Sequence, residues 1–388
     1  MKVIYFVDDK QGGVSSLCYN LVANAPVNEY EQWVIQMDWK ESDMTRANLV
    51  YPATKNIHFI YSSRENQYLE IKRLFDLLPT EDGALVVNYQ FEMEMLDHYP
   101  VRQTVYQLVH DDYNLGLAKK YHHVVDVFIA HNKHIYEQLL KAIPSRSSNI
   151  YYQPHGVPLP TYYRVHSEGG ETTLRLLFLG RMNKLKGIFD LPVIHRLLKE
   201  KNIKVEWTCI GNGPEKEKLT QLWKEENVRF ISPATNDEVL KVASEQDVFV
   251  LPTKFEGSPV SLLETMSVGL VPVITDLEGS IQEIVTEEIG FRIAMDNNQG
   301  FVKAIARLNA DRKLMKSMSA NARKKIESTY AVTLTAGGYH DLFKQYKKNF
   351  HPKTRLKSKI GARLDQPWLP SVVTRTIRNI FMQGKPNY

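Results

Sequence analysis

VFVLPTKFEGSPVSLLETMSVGLVPVIT, residues 248–275, decides how the chain is read. The β-rich apolar run VFVL is followed by a Gly/Ser/Pro break, a helical stretch, Gly269 and the apolar VPVI, which gives strand, loop, helix, strand. Ser258 suits the helix N-cap and Pro259 the first helical position. Gly269 suits the residue just past the helix end, where a left-handed conformation is tolerated without a β-carbon. The unit is therefore a right-handed βαβ crossover.

Two carboxylates give this unit a chemical character. Glu256 lies in the loop before the helix, and Glu264 is expected two turns inside it. Helical side chains lean toward the N-terminus, so Glu264 points back to the crevice that Glu256 borders. Between them the unpaired amides of the first turn form an anion site. A ligand with an anion and several hydroxyls suits such a site, because amides take a phosphate while carboxylates accept hydrogen bonds from sugar hydroxyls. A nucleotide-sugar has this chemistry.

The segment resembles the Glu-x7-Glu signature of the family 4 retaining glycosyltransferases of GT-B fold, with Phe255, Glu256, Gly257, Pro259, Glu264, Met266 and Gly269 on the matching positions. The resemblance implies an α/β fold of two Rossmann-like, doubly wound domains facing a central cleft. It divides the chain into an acceptor domain over 1–160, a linker over 161–172 and a nucleotide-sugar-binding domain over 173–330. A helix over 331–350 then crosses back to the first domain, and a basic tail fills 351–388.

The rest of the sequence agrees with a two-domain chain. Its 388 residues are too many for one ordinary core, and 43% hydrophobic with 24% charged residues is a normal globular composition. Cys18 and Cys209 lie in different expected domains and read as buried, reduced thiols of a cytoplasmic protein. MKVIYFVDDK reads as a first strand, too short in apolar run for a signal peptide, and no apolar run is long enough to span a bilayer. The net charge of +5 is uneven: eight bases against Asp365 alone make residues 351–388 +7 and leave the rest at −2. A basic pI therefore describes the tail, and nucleic-acid binding ranks last among the readings.

Strands are expected at KVIYFV, WVIQM, IHFIY, ALVVN, RQTVYQLV and VVDVFIA, alternating with helices, which argues for a parallel doubly wound sheet with ligands beyond the carboxyl ends of its strands. Gly12 and Gly13 stand at the first strand-to-helix turn. They are either an ordinary tight turn or, as the resemblance implies, a loop that faces the donor diphosphate and the acceptor. His110 ends the QLV strand, where the resemblance implies a histidine beside the transferred sugar. Asp8-Asp9 and Asp111-Asp112 lack the DxD spacing of metal-dependent glycosyltransferases, and His122, His123, His131 and His134 form no recognised ligand set.

YYQPHGVPLPTYYRVHSEGGETT, rich in Pro, Gly and Tyr, reads as the connection between domains. The second domain opens with the strand LRLLFLG and then GRMNKLKG, which resembles the family's Gly-Arg-x4-Lys-Gly motif. The resemblance implies that Arg181 and Lys186 bind the donor diphosphate. In GNGPEKEKL, Gly211 and Gly213 follow a strand and Pro214 is expected to start a helix. The third glycine of a dinucleotide fingerprint is missing, which argues against a nicotinamide enzyme.

The implied activity is a hexosyltransferase-type transfer from a nucleotide-sugar to an acceptor hydroxyl, with retention, in surface polysaccharide or glycan biosynthesis. UDP-sugar ranks ahead of GDP-sugar as donor, and no metal or other cofactor is implied. In this reading Glu256, His110, Arg181 and Lys186 carry catalysis, while Gly12, Gly13, Arg181, Lys186, Gly211, Gly257, Ser258, Val260 and Glu264 hold the donor. The alternatives are a sugar-nucleotide epimerase of the same fold and a non-catalytic nucleotide-sugar-binding subunit. TRLKSKIGARL and VVTRTIRNIF in the tail interleave bases with apolar residues. They suit either a peripheral, amphipathic contact with an anionic membrane surface or a solvated, flexible tail. In the first case a glycan or lipid-linked glycan is a suitable acceptor.

Overall fold

The computed structural model describes residues 1–388 apart from 11, 27–28, 43–45, 47–48, 167–172, 233–234, 354–359 and 383–388, with Met382 described in its backbone alone. The chain forms two compact units. The first comprises residues 1–131, 135–153 and 337–388, and the second 132–134 and 154–336.

The first unit holds β1 (Lys2–Asp8), β2 (Glu31–Trp39), β3 (Lys55–Tyr61), β4 (Gly83–Val87), β5 (Thr104–Val109), β6 (Val127–Ala130) and β7 (Ile150–Tyr152), in the order β3-β2-β1-β4-β5-β6-β7. Each pairing is parallel. Strands covered by helices on both faces read as unbroken apolar runs, and Val3, Ile4, Phe6 and Val7 of β1 are fully buried. β3, at the sheet edge, is half exposed, while β7 is a short strand that the sequence reading left inside a connection.

The second unit holds β8 (Leu174–Leu179), β9 (Val205–Ile210), β10 (Val228–Ile231), β11 (Val248–Leu251), β12 (Val271–Thr275) and β13 (Phe291–Ile293), in the order β10-β9-β8-β11-β12-β13. These pairings are also parallel. In each sheet the chain starts at a central strand, runs outward, and returns to build the other half. The strand order therefore reverses between β1 and β4 and between β8 and β11, and such reversals leave an opening beyond the strand ends for a ligand.

Two segments differ from their sequence reading, and the helix between them does not. Residues 161–166, expected within the linker, are fastened together with Pro160 to the second unit: the Arg164 amide donates to Val268 O at 2.8 Å, its guanidinium pairs with buried Asp247 at 2.9 Å, and Arg323 donates to Pro160 O at 2.9 Å. Residues 167–172 lie outside those described. The helix Val332–Lys344 begins in the second unit and the chain rejoins the first at Gly337. Within the first unit Tyr339 donates to Gln153 O, Tyr106 donates to Leu342 O, and Phe343 packs edge-on against Tyr5 and Tyr106.

The tail is the second that differs. Its Arg355, Lys357, Lys359 and Lys385 lie outside the described residues, but residues 360–382 are not a solvated tail. Ile360 enters the core of the first unit, and buried Asp365 accepts from Arg378 at 2.9 and 2.8 Å and from the Gln67 amide at 2.7 Å. The Asn66 side chain donates to Gln366 O and Leu369 O, so the tail's backbone is held as well. The helix Ser371–Met382 rests on this anchor.

Candidate functional site

The carboxyl ends of β8 and β11 bring the second unit's candidate residues together. The loop leaving β8 carries Arg181 and a short 3-10 turn, Lys184–Lys186, with Asn183 accepting from the Lys186 amide at 3.1 Å. Lys186 Nζ donates to Glu256 Oε1 at 2.7 Å, and Glu256 is almost buried at that point. The Arg181 side chain has no hydrogen-bond or ion-pair partner among the described residues. One cation is thus neutralised by an acid and its neighbour is available to an anion.

Backbone contacts explain why these loops hold their shape. The Lys254 amide and the Thr253 hydroxyl both donate to Leu185 O, at 2.7 and 3.1 Å, which ties the loop after β11 to the loop after β8. Gly187, at φ 66°, makes this approach possible, since a β-carbon there would stand 1.8 Å from Pro252 O. On the other side the Met182 amide donates to Asn212 O at 2.8 Å. Gly211, at φ 141°, serves that contact, because its β-carbon would meet Gly180 O at 2.0 Å. The role of Gly211 in the geometry is therefore close packing of two loops. The helix expected to begin at Pro214 runs from Lys216 to Leu222, so Pro214 belongs to the loop.

The helix after β11 is Val260–Ser267, one residue later than expected. Pro259 is its N-cap, with ψ 87° outside the helical range, and Pro259 O accepts from the Leu262 and Leu263 amides. Ser258 accordingly does not cap it: its hydroxyl is buried without a hydrogen-bond partner. Pro259 has no N–H, so the leading donors are the amides of Val260 and Ser261, which make no hydrogen bond among the described residues. Ser261 was not among the expected residues, and the absence of an N–H on Pro259 is the signal that could have indicated it. Gly257 O accepts from Ser280 at 2.6 Å, which fixes the loop before the helix. Gly269 follows the helix at φ 88°, as expected.

Glu264 is the fifth residue of this helix, one turn in and not two. It is buried, and burial pushes its carboxyl up to about 7, against a hydrogen bond from the Asn236 side chain that favours the ion. Asn236 opens the helix Asn236–Ser244, whose start is marked by the capping box of Thr235 and Glu238. That box was legible in the sequence, although its consequence for Glu264 was not.

The first unit's candidates lie at the ends of β1 and β5. Gly12 is extended at the start of the helix Gly13–Ala23, and a β-carbon there would meet nothing within 4 Å. Its packing does not require glycine. His110 is buried and both ring nitrogens are engaged, Nδ1 with His131 Nδ1 at 2.7 Å and Nε2 with Asn88 Oδ1 at 3.1 Å. Asp8 pairs with Lys10 at 2.8 Å, and Asp111 caps the helix Asp112–Tyr121 by accepting from the Asn114 amide. Among the described residues no group of three or more His, Cys, Asp or Glu side chains could hold a metal ion, and no helix is long and apolar enough to cross a membrane.

Known proteins resemble this chain in one segment of sequence and in fold. Residues 164–325 match the family of glycosyl transferases group 1. It is 30% identical over 115 residues to the Escherichia coli UDP-Gal:alpha-D-GlcNAc-diphosphoundecaprenol alpha-1,3-galactosyltransferase, covering 30% of each chain. It is 27% identical over 168 residues to the amylovoran biosynthesis glycosyltransferase AmsK of Erwinia amylovora, covering 40% of this chain and 41% of the relative. The matches thus span about a third to two-fifths of the length of these curated relatives.

Among solved structures, sucrose-phosphate synthase from Thermosynechococcus elongatus superposes with a TM-score of 0.69 at 16% identity, over 89% of this chain and 98% of that one. Anabaena HepE in complex with UDP and glucose gives 0.68 at 14% identity, over 89% and 100%. The fold is of the GT-B type, built on two parallel α/β sheets of seven and six strands.

Proposed function

We propose that this chain is a retaining glycosyltransferase that moves a hexose from a nucleotide-sugar to an acceptor hydroxyl. The observation that carries the reading is the convergence at the β8/β11 reversal: the Lys186–Glu256 pair at 2.7 Å, the unpaired Arg181 and the free amides of Val260 and Ser261. A diphosphate needs cations and N–H donors, and the sugars on either side of it need acceptors. In this reading Arg181, Lys186 and the amides hold the diphosphate, with Gly211, Gly257 and Ser258 on the loops that carry them. Glu256 orients the transferred sugar and Glu264 receives the ribose hydroxyls. Gly12, Gly13 and His110 enter through the sequence resemblance, with the open space over Gly12 in support.

The reaction forms a bond from the anomeric carbon to the acceptor oxygen and breaks the bond from that carbon to the phosphate oxygen. The departing phosphate oxygen takes the acceptor's proton, so no separate general base is required. Arg181, Lys186 and the helix amides stabilise the charge growing on the leaving group, which is where preorganised donors accelerate transfer most. A UDP-sugar is the proposed donor, supported by relatives whose structures contain UDP, HepE and the pneumococcal O-GlcNAc transferase GtfA among them. A glycan acceptor, lipid-linked in the case of the galactosyltransferase relative, is proposed on the same footing, as is a role in surface polysaccharide assembly.

The test is thermal stabilisation across UDP-, GDP-, ADP- and CMP-sugars, since a ligand of the native state raises apparent stability. Stabilisation by one class, lost in Arg181→Ala, is the expected result. The same donor should then yield product only when an acceptor is added. Isomerised donor without acceptor would instead make the chain an epimerase.

A further inference from the structure

The helix Ser371–Met382 turns its polar side inward. Thr374 is fully buried and donates to Leu364 O at 3.1 Å, Arg378 pairs with buried Asp365 and donates to Ser63 O, and Arg375 pairs with Glu65 at 3.0 Å. Its apolar residues Val373, Ile377, Ile380 and Phe381 recur at the spacing of one helical face, yet Val373 is 41%, Ile380 65% and Phe381 78% exposed. A surface helix of a globular unit normally has the opposite orientation. Of the seventeen large apolar side chains exposed among the described residues, five lie between 368 and 381: these three with Trp368 and Val372. The crowding makes a patch and not the usual scatter of single exposed side chains.

The charge that the tail itself brings to the patch is basic. The only acid after residue 350 is Asp365, which is buried and paired with Arg378; of the other bases described in residues 360–382, Arg375 pairs with Glu65 and Arg363 is exposed. The sequence adds Arg355, Lys357, Lys359 and Lys385 on either side. Exposed apolar side chains with an aromatic at each end, in a tail whose sequence is strongly basic, match the boundary of an anionic bilayer, where aromatics sit at headgroup depth and bases meet lipid phosphates. We infer that the helix Ser371–Met382, with Trp368, is a membrane-docking surface that holds the first unit on anionic lipid. The anchor of Asp365, Arg378 and Asn66 makes this surface a fixed part of the unit, and the inference stands whether or not the chain transfers sugar.

The experiment uses the full chain with phosphatidylcholine vesicles prepared with and without phosphatidylglycerol. Sedimentation with the anionic vesicles, weakened by added salt, is expected, together with a blue shift of tryptophan emission that Trp368→Phe removes. The double variant Ile380→Asp/Phe381→Asp, on exposed positions, should lower binding by about tenfold or more. Leu222→Asp, an equally exposed position in the second unit, should leave it unchanged. Three results would overturn the inference: no binding to anionic vesicles, equal binding by the double variant, or a wild-type dimer in light scattering that the double variant dissolves, which would assign the patch to a second copy of the chain. Donor-induced stabilisation measured on the same variant separates a failure here from a failure of the transferase reading.

Discussion

The two sheets reverse strand order in the same way, yet the openings they create are equipped differently. At the β8/β11 reversal two cations, a pair of free amides and one acid are held by loops stitched to one another through Met182, Leu185 and Lys254. Around the β1/β4 reversal acids and aromatics predominate, with Lys10 paired to one of the acids: Asp8 at the end of β1 and Asp9 after it, Glu92 behind β4, and Tyr61, Tyr89 and the exposed Tyr113. Identical topology therefore specifies only where a ligand can sit, and the loop residues specify its charge. In the proposed reading the second unit takes the anionic donor and the first the hydroxyl-bearing acceptor.

The largest effect should come from removing that asymmetry at its source. Arg181→Ala or Lys186→Ala is expected to cut transfer by about 100-fold or more with the melting temperature nearly unchanged, while Lys10→Ala in the first unit should leave donor binding intact. Initial rates and donor titrations of the three variants check this, and equal losses in all three would dissolve the contrast. Next in size, Gly187→Ala places a methyl against Pro252 O at a left-handed φ, and should cost about 2–4 kcal/mol in urea unfolding. An undiminished midpoint would mean that the two loops are not held together as described.

A third test compares the two buried acids. Glu264 and Glu92 both rise from 4.5 to about 7 through burial, so between those values the folded chain binds more protons than the unfolded one. Stability must then fall as pH rises through that window, and the loss is complete above about 7. Glu264→Gln should recover about 3 kcal/mol at pH 8 and nothing at pH 4. Glu92→Gln should recover less, because its carboxylate accepts the Asn88 and Tyr89 amides, at 3.0 and 2.8 Å, and charge strengthens those bonds. Unfolding curves at both pH values decide the matter. The opposite limb belongs to His155 and His340, held neutral by burial down to about 3 and 4, whose contribution is lost as pH falls below their ordinary 6.5. The smallest effect is expected for Lys10→Ala on stability, about 0.5 kcal/mol, since its ion pair with Asp8 is partly solvated.

Much of this molecule was readable from residue order. Unbroken apolar runs such as KVIYFV and LRLLFL place buried parallel strands, because a strand covered on both faces has no polar side to alternate. Residue order also put Arg181, Lys186 and Glu256 on loops beyond strand ends and Glu264 on the helix that follows, which is where the structure has them. Pairing was less accessible. The salt bridge of Lys186 with Glu256 joins residues 70 positions apart, and the bond from Asn236 to Glu264 depends on two helices packing side by side. The tail shows the limit most plainly. Its alternation of bases and apolar residues has the helical period, but period says nothing of which side faces the protein. That choice fell to Asp365, whose burial beneath Arg378 draws the polar side inward and leaves Ile380 and Phe381 facing out. Order along the chain thus determined the strands, the loops and the chemical groups on them, since these follow from local pattern. Which groups meet, and which face water, was decided only by packing, since burial energies depend on neighbours that lie far apart in sequence.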